Sequence, residues 1–558
     1  MKNRLLLLIC WLPGLLQAQN LENLDEFGKR KFIDLKGSLS LTANIYQTTA
    51  EQDLQNPFSY VISGAPVLLV YGVPLPFSFT FANQDFGFSG PDTDQFQRLG
   101  ISPYYKWVQV HAGYRNIAFS PYTLNNHNFL GGGVELTPGK FRFGFVYGRF
   151  LQANPEDTLN SNGVPVSYRR RGYALKVGYG TPDNFIDISI LKAKDDPGSI
   201  PDPVNSTVTP AENLAIGIDT RQKLFRNIIW ELHLAASAYS DDIRQNRLET
   251  GDGNLPGWIS TFITPRISTR LNFAGHTSLT YQTQAFSLRS EYRRVDPEYQ
   301  TMGAYFFNND LERLTLAPSV RLFKGKLNLT GSVGLQRDNL LDNKKATTER
   351  TISSANVQYT PIPQLTLNFQ YGNYATEQSA GLINLNDSIR VYQVNHNLAF
   401  TPSYYIATDN FMHNFVLNLS SQILNDRNLV TEQFTQSETN SAIFNYKIRS
   451  RQYNYGLSLG SNFLSLINAG QNITRYGVSA GAEKSLFDQK LRITTNWVYN
   501  LSRLAETSDG HILTGTGNIS YQLSQNHLFN FRARMLFNRT SLRQFDDYLY
   551  SLNYNLSF

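Results

Sequence analysis

Along most of this chain hydrophobic and polar residues alternate one by one. Leu39, Leu41, Ala43 and Ile45 are interleaved with Ser38, Ser40, Thr42 and Asn44, and Phe77, Phe79 and Phe81 with Ser78 and Thr80. Phe141, Phe143, Phe145 and Tyr147 alternate with Arg142, Gly144 and Gly148, and the same period returns at Leu327–Gln336, Leu365–Tyr371 and Arg492–Leu501. The end of the chain repeats it, with Tyr548, Tyr550, Leu552, Tyr554, Leu556 and Phe558 set against Leu549, Ser551, Asn553, Asn555 and Ser557. A period of two places alternate side chains on opposite faces of a β-strand. No helical pattern separates these stretches, so the chain reads as all-β.

The connections alternate between short and long. Short reversals are expected at Tyr71–Pro74, Lys106–Trp107, Pro138–Lys140, Gly180–Asn184, Phe225–Asn227 and Gln282–Ala285, then at Lys324–Lys326, Pro361–Gln364, Tyr405–Asn410, Ser450–Gln452, Phe487–Gln489 and Ser524–His527. Several carry Pro, Gly, Asn or Asp, the residues suited to tight turns. Longer loops fall at Ala153–Pro165, Asp195–Glu212, Asp241–Arg270, Asp296–Asp310 and Thr376–Ile389. Short turns at one end and long loops at the other are the asymmetry of a transmembrane barrel. The expected fold is one antiparallel up-and-down β-barrel of about 26 strands, in a range of about 22 to 26, with both termini periplasmic.

The amino end differs from the rest. Lys2 and Arg4 precede the apolar stretch Leu5–Leu16, and Ala18 offers a small residue for cleavage, the layout of a secretory signal peptide. Pro13 and Gly14 interrupt that stretch, and it falls short of a membrane-spanning helix. The expected organisation is a signal peptide over 1–18, a short periplasmic segment over 19–35 and a barrel over 36–558.

Composition narrows the destination. The 558 residues are 13% aromatic, with a mean hydropathy of −0.32, too polar for a bundle of membrane helices. A barrel escapes that limit because only alternate residues meet lipid. The sole cysteine, Cys10, lies inside the leader, so the exported chain has no disulfide or thiolate metal site. A net charge of +6 without a basic block gives no ground for nucleic-acid binding.

Motifs of enzymes are present in form only. Gly456–Gly460 and Gly477–Gly481 match G-x-S-x-G, but Ser458 and Ser479 alternate with Leu457, Leu459, Val478 and Ala480 as strand residues do. A hydrolase needs that serine on a strand-to-helix elbow. The eight histidines show no metal-ligand spacing. No catalytic, cofactor or metal site is read. Asp157–Leu159 and Asp387–Ile389 resemble short O-glycosylation acceptors. In the loop Asp296–Asp310, Tyr299, Tyr305, Phe306 and Phe307 form either an exposed contact surface or part of an interfacial girdle. The apolar run Leu255–Phe262 either folds into the lumen, docks a partner or packs on neighbouring loops.

Charge follows the alternation. Arg142, Lys176, Arg289, Arg293, Arg321, Lys447, Arg492, Arg532 and Arg534 share the polar face with Asp187, Glu231, Glu291 and Glu483. A cation facing lipid near the midplane costs about 2–4 kcal/mol, so this face is expected to be the lumen. Such a lumen either favours anionic solutes or holds a lattice of internal salt bridges.

With leader, alternation and terminal aromatic together, the chain resembles the outer-membrane β-barrel class of Gram-negative bacteria over nearly its whole length. Tyr554, Leu556 and Phe558 resemble the carboxy-terminal signal read by the barrel assembly machinery. Glu291–Pro297 (EYRRVDP) and Glu135–Phe141 (ELTPGKF) resemble runs in large barrels of unassigned role. The resemblance implies outer-membrane lipid and that machinery as partners, with a lipoprotein or plug protein as a further one. Neither the plug of TonB-dependent receptors nor the periplasmic domain of lipopolysaccharide exporters is matched. Because 22-stranded barrels are already plugged, a wider one needs filling. The expected function is a porin-like transport or export conduit closed by its own loops or a partner. The alternatives are a non-transporting scaffold and, more remotely, a barrel enzyme.

Overall fold

In the computed structural model, residues 33–558 are described apart from 51–54, 71–72, 84–98, 157–164, 249–255, 306–307, 381–389, 469, 506 and 542. The leader, most of the segment 19–35, both glycosylation-like triplets, Phe306 and Phe307 lie outside the described residues.

Among the described residues one sheet holds 29 strand segments. Three strands are each split by an irregularity, into Ile33–Lys36 and Ser38–Thr48, Phe58–Gly64 and Val67–Val70, and Gly100–Ile101 and Tyr104–Tyr105, which leaves a wall of 26 strands. Neighbours pair antiparallel throughout. The wall closes where the last strand, Gln544–Ser557, pairs with Ser38–Thr48 in the register Leu41↔Tyr554 and Ile45↔Tyr550. Closure removes the two edges that the first and last strands would otherwise leave, whose unpaired backbone amides would be costly in lipid. The expected wall, closure and short turns are observed, the turn at 71–72 lying outside the described residues. Among the described residues strand pairing begins at Ile33, opposite Val70, so the wall takes in three residues expected in the preceding segment.

The period-two pattern sorts the faces. Ile186, Ile188, Ile218, Leu234, Phe273 and Leu279 point outward and are exposed, while Asp187, Ser189, Asp219, Ala235, Ala274 and Ser278 point inward and are buried. Several strands exceed the roughly 10 residues needed to cross a membrane, reaching 17 at Ala346–Ile362 and 18 at Thr507–Ser524. Their far ends carry polar outward residues such as Glu349, Thr351, Asn373 and Glu377, because ladder hydrogen bonds hold a hairpin together in water as well as in lipid. For the same reason the expected loop Thr376–Ile389 is part strand, to Ala380.

Candidate functional site: a lumen filled on one side

Two of the described connections turn into the barrel. Phe119–Leu124, between the strands Val108–Ala118 and Asn125–Leu136, turns inward and seats Phe119 and Leu124 among Ile117, Phe129, Val146, Phe150, Ala174, Leu191 and Ala215. All of these are inward-facing wall residues. A Cβ on Gly144 would lie 2.7 Å from the Phe119 ring, so this glycine is the space that ring occupies. The second connection, between Val295 and Leu311, lies over the first. Tyr299 donates to the Tyr122 oxygen at 2.6 Å, Thr301 Oγ1 to Thr123 O at 3.0 Å, and Asn125 N to Gly303 O at 2.8 Å. Asn213 on the wall accepts from Met302 N at 3.0 Å, and Ser237 Oγ donates to Gln300 O at 2.6 Å.

This arrangement corrects the expectation for Tyr299. It is neither an exposed contact nor a girdle residue, since its side chain has no exposed surface. Burial of the ring and a partner for its hydroxyl hold it inside the barrel. Tyr305 stays exposed and stacks on His127 at 4.2 Å. The described part of the apolar run, from Pro256 on, also has a settled place, Leu255 lying outside the described residues. Ile259 and Ile263 pack on Leu214, Ala238, Ile190, Ile216 and Leu271, all outward-facing, so this loop lies on the outer wall rather than in the lumen.

Beneath the inward loops the wall brings together polar groups far apart in sequence. Tyr122 Oη lies 3.0 Å from His276 Nδ1, His276 stacks on His233 at 4.4 Å, and His233 Nδ1 lies 2.5 Å from Asp219 Oδ1. Ser120 Oγ donates to the same Asp219 oxygen at 3.1 Å. The residue types are those of a hydrolase, but the serine donates to the carboxylate and not to an imidazole, which is not the serine–histidine contact that a triad uses. Pairing of neighbouring strands sets Asp219, His233 and His276 side by side, the inward connection brings Ser120 and Tyr122 to them, and local sequence carries no trace of the group.

The cations expected in the lumen are all inward by register. Arg142 makes a two-pronged pair with Asp187 at 2.8 and 2.9 Å, and Lys176 lies 3.7 Å from Glu135. Arg289 and Arg293 share Glu291 at 3.0 and 3.3 Å, with Arg313 at 3.4 Å. Glu483 gathers Lys447 and Arg492, both at 2.9 Å, and Arg449 at 3.6 Å. Among the described residues Arg321, Arg532 and Arg534 have no carboxylate partner. The paired groups stiffen the wall. Ser458 and Ser479 are mid-strand and face the lumen, opposite Lys447 and Gly460, with no elbow.

The other side of the lumen is lined differently. From Leu327–Arg337 round to the closing strand, outside the charged group around Glu483 and the positions Arg532 and Arg534, many inward positions are Asn, Gln, Ser or Thr, for example Asn368, Thr401, Asn445, Asn496, Thr516, Asn530 and Asn553. On this wall a hollow of about 730 Å³ is lined by Thr330, Ser354, Asn356, Gln370, Asn397, Ser420, Gln422 and Thr439, and no charged side chain borders it. Among the described residues, Asn356, Gln370, Asn397 and Gln422 spend no side-chain hydrogen bond on the protein. They are available to a solute.

The fold and its apolar exterior define a transmembrane β-barrel. No protein-family model matches the chain and no curated protein does. Among solved structures it is similar to Acinetobacter baumannii OccAB4, at 13% identity over 70% of this chain and 99% of that one, TM-score 0.31. It is also similar to Pseudomonas aeruginosa OpdK with vanillate, at 13% identity over 63% and 93%, TM-score 0.31. A third is a BenF-like porin from Pseudomonas fluorescens Pf-5, at 9% identity over 63% and 92%, TM-score 0.32.

Proposed function

We propose that the protein is an outer-membrane conduit for neutral, polyhydroxylated solutes, closed on one side by its own loops. In this reading residues 1–18 direct export, the long loops face outside, and the short turns and both termini lie in the periplasm. The lumen cations expected to favour anions are largely neutralised by wall carboxylates, so a strong attraction for anionic cargo has little support. The observation that carries the proposal is the hollow bordered by the free amides of Asn356, Gln370, Asn397 and Gln422. An amide both donates and accepts, which matches the paired donor and acceptor character of a sugar hydroxyl. The hollow's size falls within the roughly 300–1,000 Å³ of ligand sites.

The test is transport by the purified full chain in liposomes and planar bilayers. Neutral tri- and tetrasaccharides are expected to enter faster than carboxylated sugars of equal size and to interrupt the ion current. Gln370→Leu with Asn397→Leu should weaken that interruption about tenfold, the equivalent of about 1.4 kcal/mol. A correctly assembled barrel that excludes neutral saccharides, or passes anions in preference, would overturn the proposal.

A further inference from the structure

On the outer wall, Arg149, Arg171 and Lys194 stand directly opposite one another across three neighbouring strands, in the registers Arg149↔Arg171 and Arg171↔Lys194. Like charges placed opposite each other in a sheet repel. The row spans two interstrand spacings, roughly 10 Å. Among the described residues none of the three has a carboxylate within salt-bridge reach. Arg149 is held by neutral groups, donating to Tyr114 Oη at 2.9 Å and Gln152 Oε1 at 3.1 Å. Nearby, Arg169 pairs with Asp196, and Lys192 lies 3.9 Å from Glu212. The patch is therefore five cations against two carboxylates. At the same end of the barrel the outward Arg337 and Arg539 are each neutralised, by Glu312 and by Asp546, both at 2.5 Å.

The depth of the row identifies its surroundings. Next to it, toward the short-turn end, lie the paired rings of Tyr147 and Tyr173. Beyond them come Phe145, Leu175, Val177, Ile188 and Ile186. An aromatic girdle followed by an apolar band marks the membrane interface. The row thus lies at headgroup depth at the long-loop end.

We infer that Arg149, Arg171 and Lys194 form a docking site for the phosphates of an outer-leaflet phosphorylated glycolipid. Guanidinium forks match phosphate oxygens in pairs, and an anion across the row relieves the repulsion within it. The acyl chains of the same lipid would lie on Phe145, Leu175 and Ile188. The inference rests on the orientation adopted under the proposed function but not on what the lumen carries.

The test uses the full-length protein in detergent and native mass spectrometry, with bisphosphorylated lipid A, its dephosphorylated form and inorganic phosphate as probes. Transport plays no part in the readout, so failure here is separable from failure of the conduit proposal. Wild type is expected to retain bisphosphorylated lipid at least tenfold better than dephosphorylated lipid. Arg149→Gln, Arg171→Gln and Lys194→Gln combined should abolish that preference in a heat-modifiable barrel, while Arg337→Gln leaves it intact. Should the triple variant not assemble, Arg171→Glu alone should lower retention at least threefold. Equal retention of both lipids by wild type, equal retention by wild type and the assembled variant, or uptake of inorganic phosphate with no lipid preference would each overturn the inference.

Discussion

Tyr299 donates its phenolic hydrogen to the main-chain oxygen of Tyr122 across 177 residues of sequence, and the bond is closed off from solvent inside the barrel. It joins two connections that turn into the lumen. Removing the hydroxyl in Tyr299→Phe should cost about 0.5–1.5 kcal/mol and leave the ring in place. Tyr299→Ala removes the ring as well, at about 3–5 kcal/mol, and should free the outer of the two loops. In planar bilayers the expected result is larger and noisier conductance for Tyr299→Ala and near-wild-type current for Tyr299→Phe.

Gly144 tests the same filling from the wall side. The Phe119 ring occupies the space a side chain would need, and Lys176 Nζ lies 4.9 Å from that ring on the neighbouring strand. Gly144→Val forces Phe119 out of its seat, at a cost of about 1–3 kcal/mol for overpacking. The barrel should still assemble, since Gly144 keeps its ladder partners Glu135 and Lys176. Protease cleavage near Phe119–Leu124 should rise in the variant.

Asp310, at the end of the outer inward loop, offers a pH-dependent contact. Its carboxylate accepts from Asn339 N at 2.9 Å and Leu340 N at 2.8 Å and pairs with Lys344. Burial works to raise its pKa, but the Lys344 ammonium and the two amides outweigh it and hold the carboxyl below the ordinary 3.8. A carboxyl depressed on folding stabilises fully above the ordinary value, and the effect is lost as pH falls through the lower folded value. Hydrogen exchange over residues 338–345, corrected for intrinsic rate, should therefore be flat from pH 7 to 5 and accelerate only below the ordinary value. Asp310→Ala should show the fast exchange at every pH.

The wall was legible in the sequence because a barrel strand meets two solvents, and alternation records both. Tyr550 and Leu552 face outward while Ser551 and Asn553 face in, and the short turns follow from where that pattern reverses. The inward loops were not legible, because the destination of a loop leaves no period. A signal existed all the same. Inward positions near the filling are small or apolar, namely Gly144, Val146, Gly148, Phe150, Ala174, Leu191 and Ala215, where the far wall has Asn, Ser and Thr. Strands apolar on both faces mark the stretch of wall against which something packs. The His233–His276 stack had no comparable signal, since strand register alone brings the two rings together.

Glu483 anchors three cations, and neutralising it changes the field in the lumen more than it changes the fold. Lys447, Arg449 and Arg492 are each partly exposed, so loss of these pairs should cost only about 1 kcal/mol. The three charges would then stand uncompensated on the inner wall. Glu483→Gln should shift the reversal potential in a salt gradient toward anions, with the thermal midpoint lowered by a few degrees. Unchanged selectivity would mean that these residues lie away from the ion path.

The closing seam rests on a reciprocal backbone pair at its very end. Gly37 N donates to Phe558 O at 2.7 Å, and Phe558 N donates to Gly37 O at 3.0 Å. Gly37 has a φ of +136°, and a Cβ there would fall 2.5 Å from the Ala65 oxygen, so Gly37→Val both strains the backbone and pushes the neighbouring strand away. Deletion of Phe558 removes the same pair from the other side and with it the terminal aromatic of the row Tyr554, Leu556, Phe558. If that row is what the assembly machinery reads, deletion should abolish the heat-modifiable barrel in membranes, whereas Gly37→Val, which leaves the row intact, should insert and then unfold at a lower temperature. Equal loss of inserted barrel in both variants would assign the effect to the seam alone.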